Sequence, residues 1–441
     1  MSLFDPHTPF SPKRLPFFYG WGVLVFSTLG MLVSIPGQTI GVSAFTESLI
    51  AATGLTRSQL AQAYFWGTLA SGLLMPYGGK LYDRHGARRL MVYSCIGLGL
   101  TLMGLSFIHL PVKAALSEWG QAWLAVVVMG AGFFALRFAG QGMVTVTSRN
   151  MLAKWFDKRR GLVGGISGVA IALGFGLAPT VLSAGVDQWG WRELWWGMGI
   201  VTATIMAGIG YLFFRDNPEE CGLLMDGEVP GGDESDTPTI AERCYDWADA
   251  KRTAAFWAVT MVLSVHGMVV TGITFHIVDL GASQGLSKEA ALAIFIPQTL
   301  IGTALGLVVG YLADRVDMKW LVMAMASGQI IAYAAFAHLD STLGYWLGIV
   351  GMGFSSGLFG PIANVAIPNY FGRKHLGELS GKLMSAMVIG SAIGPYALAT
   401  SREWLGSYDA SLYISLLFPA LVMVIALRAK RPPINSQQMP P

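Results

Sequence analysis

Residues 79–89 read G-K-L-Y-D-R-H-G-A-R-R, from Gly79 to Arg89. The stretch lies between two long apolar runs, so it reads as a tight, strongly basic loop joining two membrane-length helices. A second copy, G-Y-L-A-D-R-V-D-M-K, runs from Gly310 to Lys319. Asp83 and Asp314 are 231 residues apart, and the same offset carries Gly79 to Gly310, Leu81 to Leu312, Arg84 to Arg315 and Arg88 to Lys319. It also carries Gly54-Leu55-Thr56-Arg57 onto Gly285-Leu286-Ser287-Lys288. A register shared over that distance marks a duplicated chain.

Composition places the duplicate in lipid. Hydrophobic residues make up 53% of the 441 and charged ones 12%, whereas soluble domains carry about 25% charged residues. A net charge of +3 is too small to suggest nucleic acid. Cys95, Cys221 and Cys244 form no C-x-x-C and no His/Cys cluster, so neither a metal site nor a disulfide framework follows. A spanning helix needs about 20 apolar residues, and roughly twelve such runs occur. They are expected at 18–42, 57–80, 88–110, 121–147, 160–183 and 192–214. The second set is expected at 253–279, 288–313, 319–338, 342–367, 377–400 and 409–428. Residues 215–252 are polar and acidic around Gly231–Asp236 and read as a linker, with some helix near Ile240–Ala248. The first run is too long for a signal-peptide core and no small-residue cleavage site follows it, so it reads as a first transmembrane helix.

Lysine and arginine accumulate in cytoplasmic loops. Only Arg57, Lys113, Arg192, Lys288 and Arg402 fall on one side. Apart from Arg137 the rest fall on the other, which makes both termini and the linker cytoplasmic. The repeat also extends beyond the basic loops. Gly130-x-Gly132-Phe133 recurs as Gly351-x-Gly353-Phe354, Trp155-Phe156 as Tyr370-Phe371, and Gly174…Pro179 as Gly390…Gly394-Pro395. The expected fold is an all-α membrane protein: twelve transmembrane helices in two pseudo-symmetric six-helix bundles. The halves are 18–214 and 253–428, with short cytoplasmic segments at 1–17 and 429–441. Parallel repeats of this kind leave a cleft between the bundles at mid-membrane.

At this point the residues resemble the major facilitator superfamily. The Gly79–Arg89 stretch is similar to its signature between helices two and three. Gly390-S-A-I-Gly394-Pro395 is similar to its G-x-x-x-G-P motif, and Arg137-F-A-G-Gln141-Gly142 to its helix-four Arg/Gly motif. The tail Arg215-D-N-P-E-E-C-G-L-L-M-D-Gly227, the start Phe18-Tyr19-Gly20-Trp21 and the stretch Tyr370-Phe371-Gly372-Arg373 resemble the bacterial monocarboxylate and oxalate/formate porters. The resemblance implies an organic-anion carrier of the cell's inner membrane, multi-pass, with a small-molecule substrate. Carboxylate-binding members often use an Arg in helix eight and a Lys deep in helix eleven. Here helix eight has no basic residue before Arg315, and Lys382 lies near the cytoplasmic end of helix eleven, with Met387 at its middle.

Among single residues Arg137 is the sharpest observation. Mid-membrane burial of a guanidinium costs about 2.5–3.5 kcal/mol on the lenient insertion scale, and the acidic residues of the expected spans, Glu193, Asp279, Glu289 and Glu378 among them, all lie at span ends. Its planar fork suits a carboxylate substrate; the bland reading has backbone carbonyls or Gln141 holding it in place. His266, near the middle of helix seven, and His276, near its outer end, could titrate near neutrality and relay a proton. A lone histidine on an apolar helix is more often packed and hydrogen-bonded than functional. Gln38, Tyr64, Gln141, Gln298 and Asn364 are further polar candidates within apolar spans, and Pro36-Gly37 suits a broken helix lining a cavity. Gly161, Gly164, Gly165 and Gly168 read as a packing seam.

For gating, Gly79, Asp83, Arg84, Gly86, Arg88 and Arg89, with Asp314 and Arg315 in the second copy, suggest a latch. Asp83 would face a helix N-terminus while the arginines bridge neighbouring helices. Plain inside-positive topology accounts for the arginines, but not for Asp83, Gly79 and Gly86. Thr56 with Gln59 reads as a capping box.

These residues add up to a secondary transporter moving a small organic anion, a monocarboxylate above all, by alternating access. Coupling to a proton, exchange against another anion, or uniport all stay open. Fourteen Trp and the missing second basic residue support a carrier of a neutral or aromatic solute instead. A non-transporting sensor would need a larger cytoplasmic domain than 215–252 or 432–441 supplies. No P-loop, nucleophile elbow or metal spacing suggests an enzyme or a cofactor, and a monomer is expected.

Overall fold

The computed structural model describes residues 4–108, 118–228 and 245–431, and among them every regular element is a helix. Residues 231–236 and 240–244 of the expected linker and the tail from 432 lie outside the described residues. Within the linker a short helix, Trp247–Ala250, is capped by Asp246.

The first membrane helix, α1, is Gly20–Val33. Arg57–Leu105 is two helices, α2 (57–85) and α3 (87–105), meeting at Gly86. The fourth, α4, has its apolar span at Ala122–Trp155. Next come α5 (Arg160–Trp189), α6 (Trp191–Phe213), α7 (Ala254–Ser283), α8 (Lys288–Ala313), α9 (Met318–Phe336), α10 (Thr342–Phe371), α11 (Leu376–Leu405) and α12 (Asp409–Arg428). Among the described residues nine of these are long and apolar enough to cross a membrane; α1, with 14 residues, is a shorter apolar helix, and α2 and α3 flank Gly86.

Three expectations change, each for a local physical reason. The run 18–42 is not one helix. Pro36 has no N–H to give and clashes with the preceding turn, so α1 stops at Val33. A 3-10 turn, Ile35–Gly37, follows, Gln38 is extended, and helix resumes at Thr39–Ser43 and again at Thr46–Thr53. The basic stretch 79–89 is not a loop either. Helix continues to residue 85, and Gly86 alone, at φ 75° and ψ 170°, reverses the chain into α3. Only glycine occupies that region without strain. Third, α4 does not end at residue 147: Thr145–Trp155 continues it to the basic end. The expected capping box holds, with Gln59 N–H donating to Thr56 Oγ1 and Thr56 N–H to Gln59 Oε1.

The chain forms two compact units. The first comprises Met1–Asp157, Leu173–Pro230 and Ser380–Ser385. The second comprises Lys158–Ala172, Gly231–Leu379 and Ala386–Pro441. Leu98, Leu102, Met129, Phe133, Leu136 and Trp195 centre the apolar core of the first. Val269, Ile273, Tyr333, Phe336, Met352 and Leu412 centre that of the second. Lipid cannot drive helices together by hydrophobicity, so close backbone approach does much of the holding. In the first unit Gly37 on the α1 break lies against Gly140 on α4, where an added Cβ would stand 2.8 Å from the Gly140 Cα. In the second unit Gly165 on α5 lies against Gly310 on α8, with 3.4 Å from its Cβ position to the Gly310 Cα. Of the packing seam read from the glycine spacing, Gly161 and Gly165 face α8 and Gly164 faces Asn364 of α10. The repeat-related Gly381 of α11 packs in the first unit against Gly79, at 2.9 Å from its Cβ position.

Candidate functional site

Four of the polar candidates gather where the break in α1 meets α4. Arg137, 1% exposed, opens a π-helical stretch, Arg137–Val144, inside α4. Such widened turns recur at functional sites. Its Nη1 donates to Thr39 Oγ1 at 3.0 Å and to the Gly37 carbonyl at 3.5 Å. That carbonyl belongs to the 3-10 turn which Pro36 imposes, and Thr39 opens the helix that follows. Tyr64 of α2 lays its ring 5.4 Å from the guanidinium carbon and donates its hydroxyl proton to Thr39 Oγ1 at 2.9 Å. Gln38 donates through Nε2 to Ser34 Oγ at 3.0 Å and reaches Thr145 Oγ1 at 3.4 Å. Gln141 does not serve as the expected brace: its Oε1 is buried and accepts no hydrogen bond. The arrangement is a fixed cation at a helix break, flanked by hydroxyls and one aromatic face, and it can hold an oxyanion or a polarised carbonyl.

In the second unit His266 of α7 is buried against α10. Its Nδ1 is 2.9 Å from Ser355 Oγ, its Nε2 3.5 Å from Ser356 Oγ, and its ring 5.2 Å from that of Phe359. Asn364, farther along α10, faces Gly164 of α5, and its Oδ1 is buried without a hydrogen bond. Gln298 of α8 is half-buried, and its backbone carbonyl meets Gly353 of α10. His276 is not brought to His266. Its Nε2 is 3.0 Å from the Pro395 carbonyl and its Nδ1 3.5 Å from the Tyr408 hydroxyl. Tyr408 donates to Asp279 at 2.6 Å, and Arg402 stands 3.4 Å from the same carboxylate. That network ties together one end of α7, α11 and α12.

The gating candidates divide as well. Ala87 N–H, the first donor after the Gly86 turn, donates to Asp216 Oδ1 at 3.1 Å, and so does the Tyr82 hydroxyl. Lys154 at the end of α4 pairs with Asp216 Oδ2 at 2.9 Å. Arg88 points away from this hub: it donates to the Tyr211, Asp5 and Thr8 carbonyls. Arg215 likewise binds the carbonyls of Pro6, Thr8 and Phe10, so the two arginines pin the N-terminal segment. Arg89 lies 5.3 Å from the Phe4 ring, and Asp83 and Arg84 are exposed. In the second unit Asp314 accepts from Gly161 N–H at 2.6 Å and Leu162 N–H at 3.1 Å, capping the first turn of α5. Burial holds its carboxyl above the usual carboxylate range, against the opposing pull of those two bonds. Arg315 folds back on the Tyr311 ring and carbonyl and stays exposed.

Asp216 escaped the sequence reading. It lies in the tail after α6, and its partners Tyr82, Ala87 and Lys154 are 134, 129 and 62 positions away. Its neighbour in that tail, Cys221, is a thiol pushed up to about 12 by burial.

Three comparisons bear on the whole chain. The family model described as the Major Facilitator Superfamily matches residues 27–395. The chain is similar to the probable sulfoacetate transporter SauU of Cupriavidus necator, 23% identical over 395 residues that cover 82% of this chain and 83% of that one. It is also similar to monocarboxylate transporter 11 of Mus musculus, 24% identical over 354 residues, covering 78% and 72%. Among solved structures, the proton:xylose symporter XylE bound to 6-bromo-6-deoxy-D-glucose aligns with a TM-score of 0.68 at 16% identity, over 93% of this chain and 94% of that one. That last likeness is one of fold alone.

Proposed function

The chain belongs to the Major Facilitator Superfamily, and we propose that it carries a small organic anion, a monocarboxylate or a similarly sized acid, across the cytoplasmic membrane by alternating access. As a member of that family it is a multi-pass membrane transporter and not an enzyme. The observation that supports the anion is the placement of Arg137. Its guanidinium sits at depth in α4, against the break in α1, beside Thr39 and Tyr64. A charge kept at that depth is costly and marks substrate pathways by default, and a guanidinium fork matches a carboxylate. The two relatives, a probable sulfoacetate transporter and a monocarboxylate transporter, support the same chemistry.

In this reading Gln38, Tyr64 and Gln141 orient the substrate beside Arg137 in the first unit. The Gly86 turn and the Asp314 cap of α5 are positions where the cytoplasmic side locks, and both termini lie in the cytoplasm. Purified protein in vesicles, offered labelled sulfoacetate and lactate, tests the reading. Uptake or exchange above that of empty vesicles is expected. Flux of neutral solutes alone, undiminished in R137Q, would replace the anion by a neutral or aromatic cargo.

A further inference from the structure

Helix four holds a second arginine that the sequence consigns to a loop. Arg149 lies inside Thr145–Trp155, twelve residues beyond Arg137. In an uninterrupted α-helix twelve residues would rotate it about 120° away from Arg137. The π-helical stretch changes that phase. Thr145 N–H reaches back five residues to the Gly140 carbonyl, so the widened turn absorbs one extra residue. The remaining eleven make about three whole turns, which returns Arg149 to the face of Arg137, on the order of 18 Å along the axis. Gln141 and Thr145 fall on that face between them.

Burial traces the same stripe independently. From residue 140 to 156 every position is buried except Gln141 and Arg149, which are half-buried. Among the described residues Arg149 makes no hydrogen bond or ion pair, and its Nε and the Gln141 Oε1 are both buried without partners. A cation and an amide left unsatisfied on one face of a membrane helix do not belong against lipid; such groups face a bundle interior or a watery route.

We propose that Arg149 is a second anion subsite, which takes the substrate's carboxylate or sulfonate from Arg137 on the way to the basic end of α4. Helix four thereby supplies the second cation that α8 lacks. The inference rests on the organic-anion reading, and two readouts separate its failure from the failure of that reading.

The first is transport in vesicles containing wild type, R149Q, R149K or R137Q. KM for sulfoacetate and for lactate is measured with the anion on the face bearing the basic loops and on the opposite face. R149Q should raise KM at the basic face at least tenfold and leave the other within twofold. R149K should recover most of the loss, and R137Q should impair both faces. An unchanged KM in R149Q, or an equal rise at both faces, overturns the subsite while wild-type flux preserves the anion carrier. The second needs no transport. Inorganic sulfate, compared with chloride at equal ionic strength, should raise the unfolding temperature of the wild type and of R149K, and not that of R149Q. If wild type carries neither acid, the carrier reading falls. Equal sulfate stabilisation of wild type and R149Q, or none in either, then removes the subsite as well.

Discussion

Replacing Gly86 by alanine isolates the single residue that joins α2 to α3. The added methyl meets nothing closer than Asp216, whose carboxyl carbon would be 3.4 Å away, an ordinary contact. The penalty is therefore in the backbone. At φ 75° and ψ 170° a residue with a Cβ costs about 1–3 kcal/mol. Opening the turn to relieve the strain would pull Ala87 N–H from Asp216 and forfeit roughly 1 kcal/mol of capping. G97A is the matched control. Gly97 lies in the interior of α3 with nothing within 4 Å of its Cβ position, so alanine there should be neutral or stabilising by up to about 1 kcal/mol. Reversible denaturant unfolding in mixed micelles, followed by circular dichroism, gives both values. G86A should be the less stable of the pair by at least about 1 kcal/mol, and G86N should do no better, since asparagine tolerates left-handed helical backbone but not this extended region. If G86A matched G97A, the one-residue turn would not be the hinge described above.

Further predictions concern the same end of the molecule and the seams between helices. D216A removes the carboxylate 2.9 Å from the Lys154 ammonium, together with the acceptor of the Tyr82 hydroxyl and Ala87 N–H, and should cost up to about 3–5 kcal/mol; adding K154M should restore part of that, which the same unfolding assay reads as a coupling energy. G37A places a methyl 2.8 Å from the Gly140 Cα and against the Leu136 carbonyl, so α1 and α4 must separate, at about 1–3 kcal/mol, with a loss of transport because Gly37 O and Thr39 move with the break. Cys221, with its thiol at about 12, should be roughly one part in ten thousand thiolate at pH 8. The C95A/C244S protein, which keeps only Cys221, should therefore resist maleimide at that pH until unfolded, and prompt labelling would show the tail after α6 to be open.

Hydropathy made the twelve helices legible because each needs an unbroken apolar run, and Pro36-Gly37 announced the break in α1. The offset of 231 residues announced the duplication. Local charge misled in two places. The residues around Gly86 are so polar that a loop seemed required, yet they occupy the ends of two helices, and only the glycine leaves helical backbone. Thr145–Asn150 likewise ended the apolar run of α4 early, although Ser148 packs against Gly30 of α1 and the helix continues to Trp155. That error hid Arg149. The phase of α4 could not be read at all, because a π-turn is a hydrogen-bonding choice that composition does not encode. Asp216 was invisible for another reason: its partners Tyr82, Ala87 and Lys154 meet it only after folding. For the two histidines of α7, sequence offered equal candidates, whereas the structure gives His266 two serines on α10 and leaves His276 in the Tyr408–Asp279–Arg402 network.

Substrate exchange by R137Q and wild type, measured side by side in vesicles with sulfoacetate and lactate, tests the proposed role of Arg137 most directly. Hydrogen bonds to a charged group are worth about 1.5–3 kcal/mol, so the variant should lose about ten- to a hundredfold in kcat/KM while remaining folded. Full exchange by R137Q, or no exchange of any organic acid by the wild type, would contradict it.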